Sequence, residues 1–129
     1  MSEPRWLTTA VIFAIHSDQL DAHGGSSGLR DHGRLEAALE RPRTRWSYEP
    51  DSSLPRLAAA YGYGIATNHP FVDGNKRVAF QAMYVFLGLN GLHIQASEPE
   101  VVSLMLSVAS GAVDESELTS WLHDHTEPW

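Results

Sequence analysis

The chain has 129 residues, of which 43% are hydrophobic. This length supports one domain with a buried core and is too short for two ordinary domains. The absence of cysteine excludes disulfides and thiolate metal sites, and no apolar run of about 18 residues suggests a membrane span. The first residues also lack the features of a signal peptide. We therefore expect a single domain over residues 1–129, with a soluble cytoplasmic protein as the default and no membrane contact.

Charge is unevenly distributed along the chain, whose net charge is −7. Residues 78–129 contain seven acidic residues and no lysine or arginine. An acidic chain lacks the overall positive charge that is typical of nucleic-acid-binding proteins, so we expect no direct nucleic-acid binding. Six arginines lie between Arg30 and Arg56, where they form either a local basic face or, as is more common, surface ion pairs.

The N-terminal part predicts two helices separated by a glycine-rich loop. Residues 6–22 carry an apolar stripe at helical spacing, and two glycines follow them. Residues 24–33 predict a mobile loop or a small β-hairpin. Asp31 is a candidate N-cap for a short helix that runs through Glu40 and ends before Pro42. The predicted stripe of the first helix consists of Leu7, Ala10, Val11, Ala14 and Ile15.

Two further helices are predicted on either side of a turn. Ser53, followed two residues later by a proline, predicts the start of a third helix that ends at the Asn-His-Pro of residues 68–70. Two glycines inside this helix weaken the prediction, since each costs about 1 kcal/mol relative to alanine. A fourth helix begins at Asn75 and ends at an Asn-Gly pair near residue 90. It is apolar nearly all round, so we predict that it is the central, most buried helix.

The C-terminal part predicts a short extended piece at residues 92–96 and two more helices. Capping boxes at residues 97–100 and 114–117 predict that these helices run over about 98–110 and 115–125. The fold class is therefore all-α, a compact bundle of about six helices with a central buried helix and a possible small β-hairpin flap.

The densest group of reactive side chains is the run His69-Pro-Phe-Val-Asp-Gly-Asn-Lys-Arg77, between the third and fourth predicted helices. The first amides of the fourth helix have no intrahelical partner and favour an anion. Gly74 allows a ligand to approach the backbone, while Lys76, the only lysine of the chain, and Arg77 add positive charge. The run therefore predicts a phosphate site.

Two residues of the same run have further chemical potential. Asp73 is a hard oxygen ligand at the place where a magnesium ion bridging nucleotide phosphates needs a carboxylate, although a turn or N-cap role is the alternative. His69 is able to accept a proton from an incoming hydroxyl near neutral pH. A lone histidine is more often structural, but the neighbours of His69 favour catalysis.

The run resembles the central motif of the Fic/Doc superfamily. Adenylyl-transferring Fic domains carry His-Pro-Phe-x-Asp/Glu-Gly-Asn-Gly-Arg, whereas the death-on-curing (Doc) toxins carry His-x-Phe-x-Asp/Asn-Ala/Gly-Asn-Lys-Arg. Lys76 stands where the Fic motif has its second glycine, so it favours the Doc branch. The short length, the Gly-Leu-Arg-Asp of residues 28–31 and the Phe-Leu before an Asn-Gly pair extend the resemblance over nearly the whole chain.

Resemblance to Doc implies the toxin of a type II toxin–antitoxin system. Such a toxin is a protein kinase that uses ATP and Mg²⁺ to transfer the γ-phosphate to a Thr or Ser hydroxyl of a translation factor, here elongation factor Tu, and so inhibits protein synthesis. By position, His69 would be the general base and Asp73 would help to hold magnesium. Gly74, Asn75, Lys76 and Arg77 would bind the phosphates, and residues 24–33 would be the flap that positions the target.

The resemblance also bears on regulation and leaves two alternatives. Self-inhibited Fic proteins carry a Ser/Thr-x-x-x-Glu helix, and no Ser or Thr of this chain has Glu four residues later. Inhibition would then come from a cognate antitoxin of the prevents-host-death type, through a disordered segment that folds into an apolar groove. The alternatives are a Fic-type protein adenylyltransferase and a catalytically inactive antitoxin-binding module. Thr67, where some Doc proteins have arginine, is a departure that would weaken phosphate binding.

The other histidines have no predicted role. His123 and His125 lie two residues apart, on different faces of a helix, so a frayed C-terminus is a better prediction than a metal site. The remaining histidines do not occur at a spacing that indicates a site; they are His16, His23, His32 and His93.

Overall fold

The computed structural model describes residues 2–129, which form six α-helices and two short β-strands. The predicted all-α fold class is confirmed. In chain order the elements are α1 (Thr9–His23), α2 (His32–Tyr48), α3 (Leu54–Asn68), α4 (Asn75–Leu89), β1 (Leu92–Ile94), α5 (Glu98–Ser110), α6 (Glu115–His125) and β2 (Thr126–Pro128). In the part of the chain that is described, no helix is both long and apolar enough to span a bilayer.

The centre of the bundle is α3, which packs against α2, α4, α5 and α6. Ten of its fifteen residues are buried, compared with six of fifteen in α4. The prediction that the fourth helix is the most buried is therefore wrong. One side of α4 lines an open cavity instead of packing against another helix, and the apolar residues on that side stay partly exposed.

Two glycines explain how α3 packs so closely against its neighbours. A Cβ atom on Gly62 would overlap the side chain of Met83 in α4, and a Cβ atom on Gly64 would lie 3.4 Å from Ala38 in α2. The glycines that weaken the helical pattern are therefore the positions where neighbouring helices approach. The burial that this approach permits offsets their intrinsic cost, and α3 forms as predicted.

The prediction that the second helix ends before Pro42 is wrong, because α2 continues to Tyr48. An internal proline removes one helical hydrogen bond and costs about 3 kcal/mol or more. Pro42 is buried, and the turns around it are joined to α6 by ion pairs from Arg41 and Arg45 to Glu115. These tertiary contacts hold the second half of α2 in helical form.

The arginines between residues 30 and 56 favour the ion-pair alternative over an open basic face. Four of the six have a carboxylate partner. The pairs are Arg34 with Asp31, Arg41 and Arg45 with Glu115, and Arg45 and Arg56 with Glu49.

Helix α1 begins later than predicted, and only part of the predicted stripe, Leu7 and Ile15, is buried. It starts at Thr9 because the side chain of Thr8 caps it by accepting the N–H of Val11. Ala10 and Ala14 of the predicted stripe are exposed. Residues 10–15 are all apolar, so this part of α1 has no single stripe, and packing selects the face. The buried residues are Ile12, Ile15 and His16.

The small sheet is formed by β1 and β2 and does not include the glycine-rich loop. β1 and β2 pair antiparallel, with Ile94 opposite Thr126 and Leu92 opposite Pro128. The predicted extended piece is confirmed, whereas the predicted fraying of the C-terminus is wrong because β2 is held by this pairing. Residues 24–31 form a loop with one isolated bridge, from Leu29 to Phe71, rather than a hairpin. Both predicted capping boxes are confirmed at α5 and α6.

Tyr61 joins the N-terminal segment to α3. Its hydroxyl accepts a hydrogen bond from the backbone N–H of Leu7 at 3.0 Å, and both residues are buried. Burial raises the pKa of Tyr61 to about 12, so the phenol stays neutral at physiological pH. The contact therefore satisfies a buried backbone donor without introducing a charge.

We predict that Tyr61→Phe lowers the free energy of unfolding by about 1–3 kcal/mol, because it leaves the Leu7 N–H buried without an acceptor. Urea denaturation followed by circular dichroism measures this loss. The matched control is Tyr48→Phe, since Tyr48 is 83% exposed and should lose little. Equal denaturation midpoints for the two variants would contradict the prediction.

Candidate active site

The predicted site residues lie on the loop between α3 and α4, residues 69–74, which we call the site loop, and on the first turn of α4. His69 ends α3 in the left-handed conformation, with φ 51°, and is the only non-glycine residue of the described chain with positive φ. Backbone conformations of this kind are concentrated at functional sites. The chain therefore turns sharply at the predicted base, whose side chain is half-buried.

Asn75, the first residue of α4, closes the site loop. Its side-chain oxygen accepts the N–H of Phe71 at 2.9 Å, and its amide nitrogen donates to the carbonyl of Phe71 at 2.9 Å. Phe71 is buried in the core, so the pair anchors the loop. The side chain of Asn75 thus shapes the loop, while its predicted contact with phosphate stays a prediction.

The N-terminus of α4 is open. Gly74 precedes it in the left-handed conformation, with φ 79°, and no side chain caps the helix. The other five helices each begin with a side-chain cap. The free amides of the first turn of α4 are therefore available to an anion, and the helix dipole favours one.

Positive charge surrounds these amides. Lys76 and Arg77 lie in the first turn of α4 and are exposed. Within residues 2–129, the arginines that pair with carboxylates are on α2 and α3, and neither Lys76 nor Arg77 has such a partner. An anion at the helix end would meet two cations that are not already neutralised.

The carboxylate of Asp73 is ionised and held in place. It accepts the N–H of Ser26 at 3.3 Å and that of Gly74 at 2.9 Å. These two hydrogen bonds, with smaller effects of Arg77 and Lys76, hold the pKa of Asp73 below its ordinary value. An ionised carboxylate beside the predicted phosphate site is a ligand that suits magnesium, and each of its oxygens keeps a lone pair free.

The glycine-rich loop lies along the site loop. The N–H of Val72 donates to the carbonyl of Gly28 at 3.0 Å. The N–H groups of Arg30 and Asp31 donate to the carbonyl of Pro70 at 2.7 and 3.1 Å. A Cβ atom on residue 25 would lie 2.8 Å from the Asp73 carboxylate, so only glycine fits there. The predicted flap is therefore beside the predicted site.

A cavity of about 560 Å³ opens from the site, a size typical of small-molecule pockets. Asp73, Gly74, Asn75, Lys76 and Arg77 line its polar end. The structure thus brings five of the six predicted site residues to one cavity, whereas His69 is not among its lining residues. The opposite wall is apolar and comes from α4 and α5. It includes Phe80, Tyr84, Val101, Val102, Met105 and Leu106.

The structure also assigns positions to residues that the sequence analysis left without a role. His23 and Gln19, near the end of α1, line the cavity. His16 is buried and lies 3.0 Å from the carbonyl oxygen of Asp73. Only the packing of α1 beside the site loop brings these residues together, so no sequence spacing signals them. His123 contacts Ser53, and His125 contacts Glu100, so both belong to contacts away from the site.

Comparisons with known proteins agree with the motif. The family model described as "Fic/DOC family" matches residues 6–87. The chain is 32% identical over 118 residues to the protein named "Protein kinase doc" of Escherichia phage P1, which covers 92% of this chain and 93% of that protein. It is 45% identical over 78 residues to "Toxin Doc" of Mycolicibacterium smegmatis (strain ATCC 700084 / mc(2)155), which covers 58% of each chain. The resemblance read from the nine-residue run is confirmed, and the chain belongs to the Fic/DOC family, on its Doc branch.

Proposed function

We propose that this protein is the toxin of a toxin–antitoxin system and acts as an ATP-dependent protein kinase. It would transfer the γ-phosphate of ATP to a Thr or Ser hydroxyl of a translation factor, with elongation factor Tu as the target that the Doc resemblance implies. The observation that carries the proposal is the uncapped N-terminus of α4, with Lys76 and Arg77 beside it, at the polar end of the cavity. The names of the two relatives, a kinase and a toxin, support it.

The charges and donors at this end of the cavity support phosphate binding. The first amides of α4 and the side chains of Lys76 and Arg77 would bind the phosphates of ATP, with Gly74 leaving room for them. The Fic motif has a glycine where this chain has Lys76. A lysine there narrows the anion site and adds a charge, which permits a different nucleotide orientation, and the Doc resemblance implies the one with the γ-phosphate toward the target.

The residues present fit a magnesium ion bound through the nucleotide. No group of three or more metal-binding side chains occurs among residues 2–129, so Asp73 would be the protein ligand, with phosphate oxygens and water as the others. When bound, magnesium neutralises charge on the phosphates. Asp73 is suited to this role because its carboxylate is already ionised.

His69 would act as the general base. It accepts the proton of the target hydroxyl as that oxygen bonds to the γ-phosphorus and the bond from this phosphorus to the departing ADP oxygen breaks. Phosphoryl transfer depends mainly on positioning and charge stabilisation, so a small set of groups suffices. The left-handed turn at His69 directs the chain from α3 into the site loop, next to the predicted phosphate site.

A kinase that stops translation in its own cell requires an inhibitor. The chain has no Ser/Thr-x-x-x-Glu segment with which to block its own site. We therefore include a cognate antitoxin of the prevents-host-death type as the partner, and the cytoplasm, where translation takes place, as the location. The exposed apolar residues Val102 and Leu106 on the cavity wall suit an apolar antitoxin segment.

Labelled ATP separates the proposed kinase from its alternatives. The protein is incubated with elongation factor Tu and ATP labelled at either the α- or the γ-phosphate. We expect transfer of the γ-label alone. Transfer of the α-label would replace the proposal with adenylyl transfer, and no transfer to any translation factor would favour an inactive binding module.

We predict that His69→Ala lowers the rate of transfer by about 10²–10⁴-fold, because it removes the general base, and that it abolishes toxicity. Transfer is measured with γ-labelled ATP, and toxicity by the growth of cells that express the variant. His123→Ala is the matched control, since His123 is exposed on α6 and its ring contacts Ser53, away from the site. Undiminished toxicity of His69→Ala would refute the assigned base.

We expect Lys76→Gly to lower γ-transfer and to permit transfer of the α-label, because it restores the Fic arrangement at this position. The two labels are compared in the same assay with the wild-type protein. Lys76→Arg is the control, since it keeps the charge but not the compact ammonium group. A Lys76→Gly variant that still transfers only the γ-phosphate would show that this side chain does not select the phosphate.

A further inference from the structure

His16 is unusual for a buried residue. It is 6% exposed and is one of two buried polar or charged residues in the core of the described chain, with Ser52 as the other. Burying an imidazole is unfavourable unless its polar atoms find partners. Ser52 has a local explanation, because its hydroxyl donates to the carbonyl of Glu49. The partner of His16 is far away in sequence, on the site loop.

His16 contacts the site loop at two points. Its Nε2 atom lies 3.0 Å from the carbonyl oxygen of Asp73. A carbonyl oxygen only accepts, so Nε2 must carry the proton and donate. The imidazole ring also stacks on the ring of Phe71, with a centroid distance of 4.0 Å and an interplanar angle of 14°. His16 of α1 therefore contacts both Phe71, which is buried in the core, and Asp73, near the point where the loop enters α4.

The hydrogen bond restrains the peptide plane between Asp73 and Gly74. Its carbonyl accepts from His16, and its N–H donates to the carboxylate of Asp73 at 2.9 Å. A peptide is planar, so restraint at both ends sets its orientation. The Asp73 side chain is attached just before this peptide, and the first amides of α4 follow just after it. A rotation of the peptide plane would therefore move the Asp73 carboxylate and the α4 amides together.

We propose that His16 is a positioning residue of the site, which through its Nε2–H sets the orientation of the peptide after Asp73 and hence the positions of the carboxylate and of the α4 amides. The expected effect of His16 on catalysis rests on the proposed function. The expected effect of His16 on the conformation of the site loop does not. The competing interpretation is that His16 only fills space against Phe71.

Two substitutions separate the hydrogen bond from the packing. His16→Gln keeps a donor, because the Gln amide nitrogen is the same number of bonds from Cα as Nε2 of histidine. His16→Phe keeps a ring that stacks on Phe71 but has no donor. If the hydrogen bond positions the site, the glutamine variant should retain more activity than the phenylalanine variant. If packing alone matters, the order should be reversed.

The first measurement is made on the wild-type protein, so it does not depend on whether a variant folds. A long-range ¹H–¹⁵N spectrum of the histidine rings reports which nitrogen of His16 carries the proton. We expect a protonated Nε2 that exchanges slowly with solvent. A neutral ring with its proton on Nδ1 would overturn the proposal.

The second measurement compares the variants. In ¹H–¹⁵N spectra, we expect His16→Phe to shift the backbone amides of Gly74 and Asn75, and His16→Gln to shift them less. In the transfer assay, kcat should fall about tenfold or more for His16→Phe and within about threefold for His16→Gln, since small misplacements at a site strongly slow chemistry. KM for the target protein should stay unchanged in both.

These measurements distinguish a failure of the proposed kinase function from a failure of the positioning role of His16. If the wild-type protein transfers no phosphate to any target, the proposed kinase fails, while the ring tautomer and the amide shifts still decide the role of His16. Equal losses of kcat in the two variants, or unshifted Gly74 and Asn75 amides in His16→Phe, would overturn the positioning role.

Discussion

The site depends on the pair of hydrogen bonds between the Asn75 side chain and the backbone of Phe71. This pair folds the site loop back on the start of α4, and it satisfies backbone groups that would otherwise be without partners at the edge of the core. The helix that follows, α4, has no side-chain cap because its N-cap residue, Gly74, has no side chain to offer. The closed loop therefore leads directly into an open helix end, where an anion is favoured.

The loop is supported from the core and from the surface. On the core side, Phe71 is buried beneath the stacked ring of His16, which also bonds to Asp73. On the surface side, the glycine-rich loop donates through Ser26 to the Asp73 carboxylate and makes backbone hydrogen bonds to the rest of the site loop. Asp73 is therefore restrained from both directions, which suits a ligand that must be in place before substrate arrives.

The bundle behind the site is arranged so that α4 has one buried side and one free side. α3 takes the central position because Gly62 and Gly64 admit α4 and α2 at close range. The residues of α4 that face away from α3 line the cavity with those of α5. A helix buried on all sides, as the apolar pattern of α4 suggests, would leave no cavity next to the proposed phosphate site.

The sequence by itself determined the family, through the nine-residue run from His69 to Arg77, and most element boundaries, because caps and turn residues act locally. Only the tertiary structure decided the features that depend on distant contacts. Pro42 lies within a helix because ion pairs to Glu115 and burial hold α2 together. β2 exists because it pairs with β1. His16 reaches Asp73 because α1 packs beside the site loop, and a separation of 57 residues leaves no periodic signal from which that contact could be read.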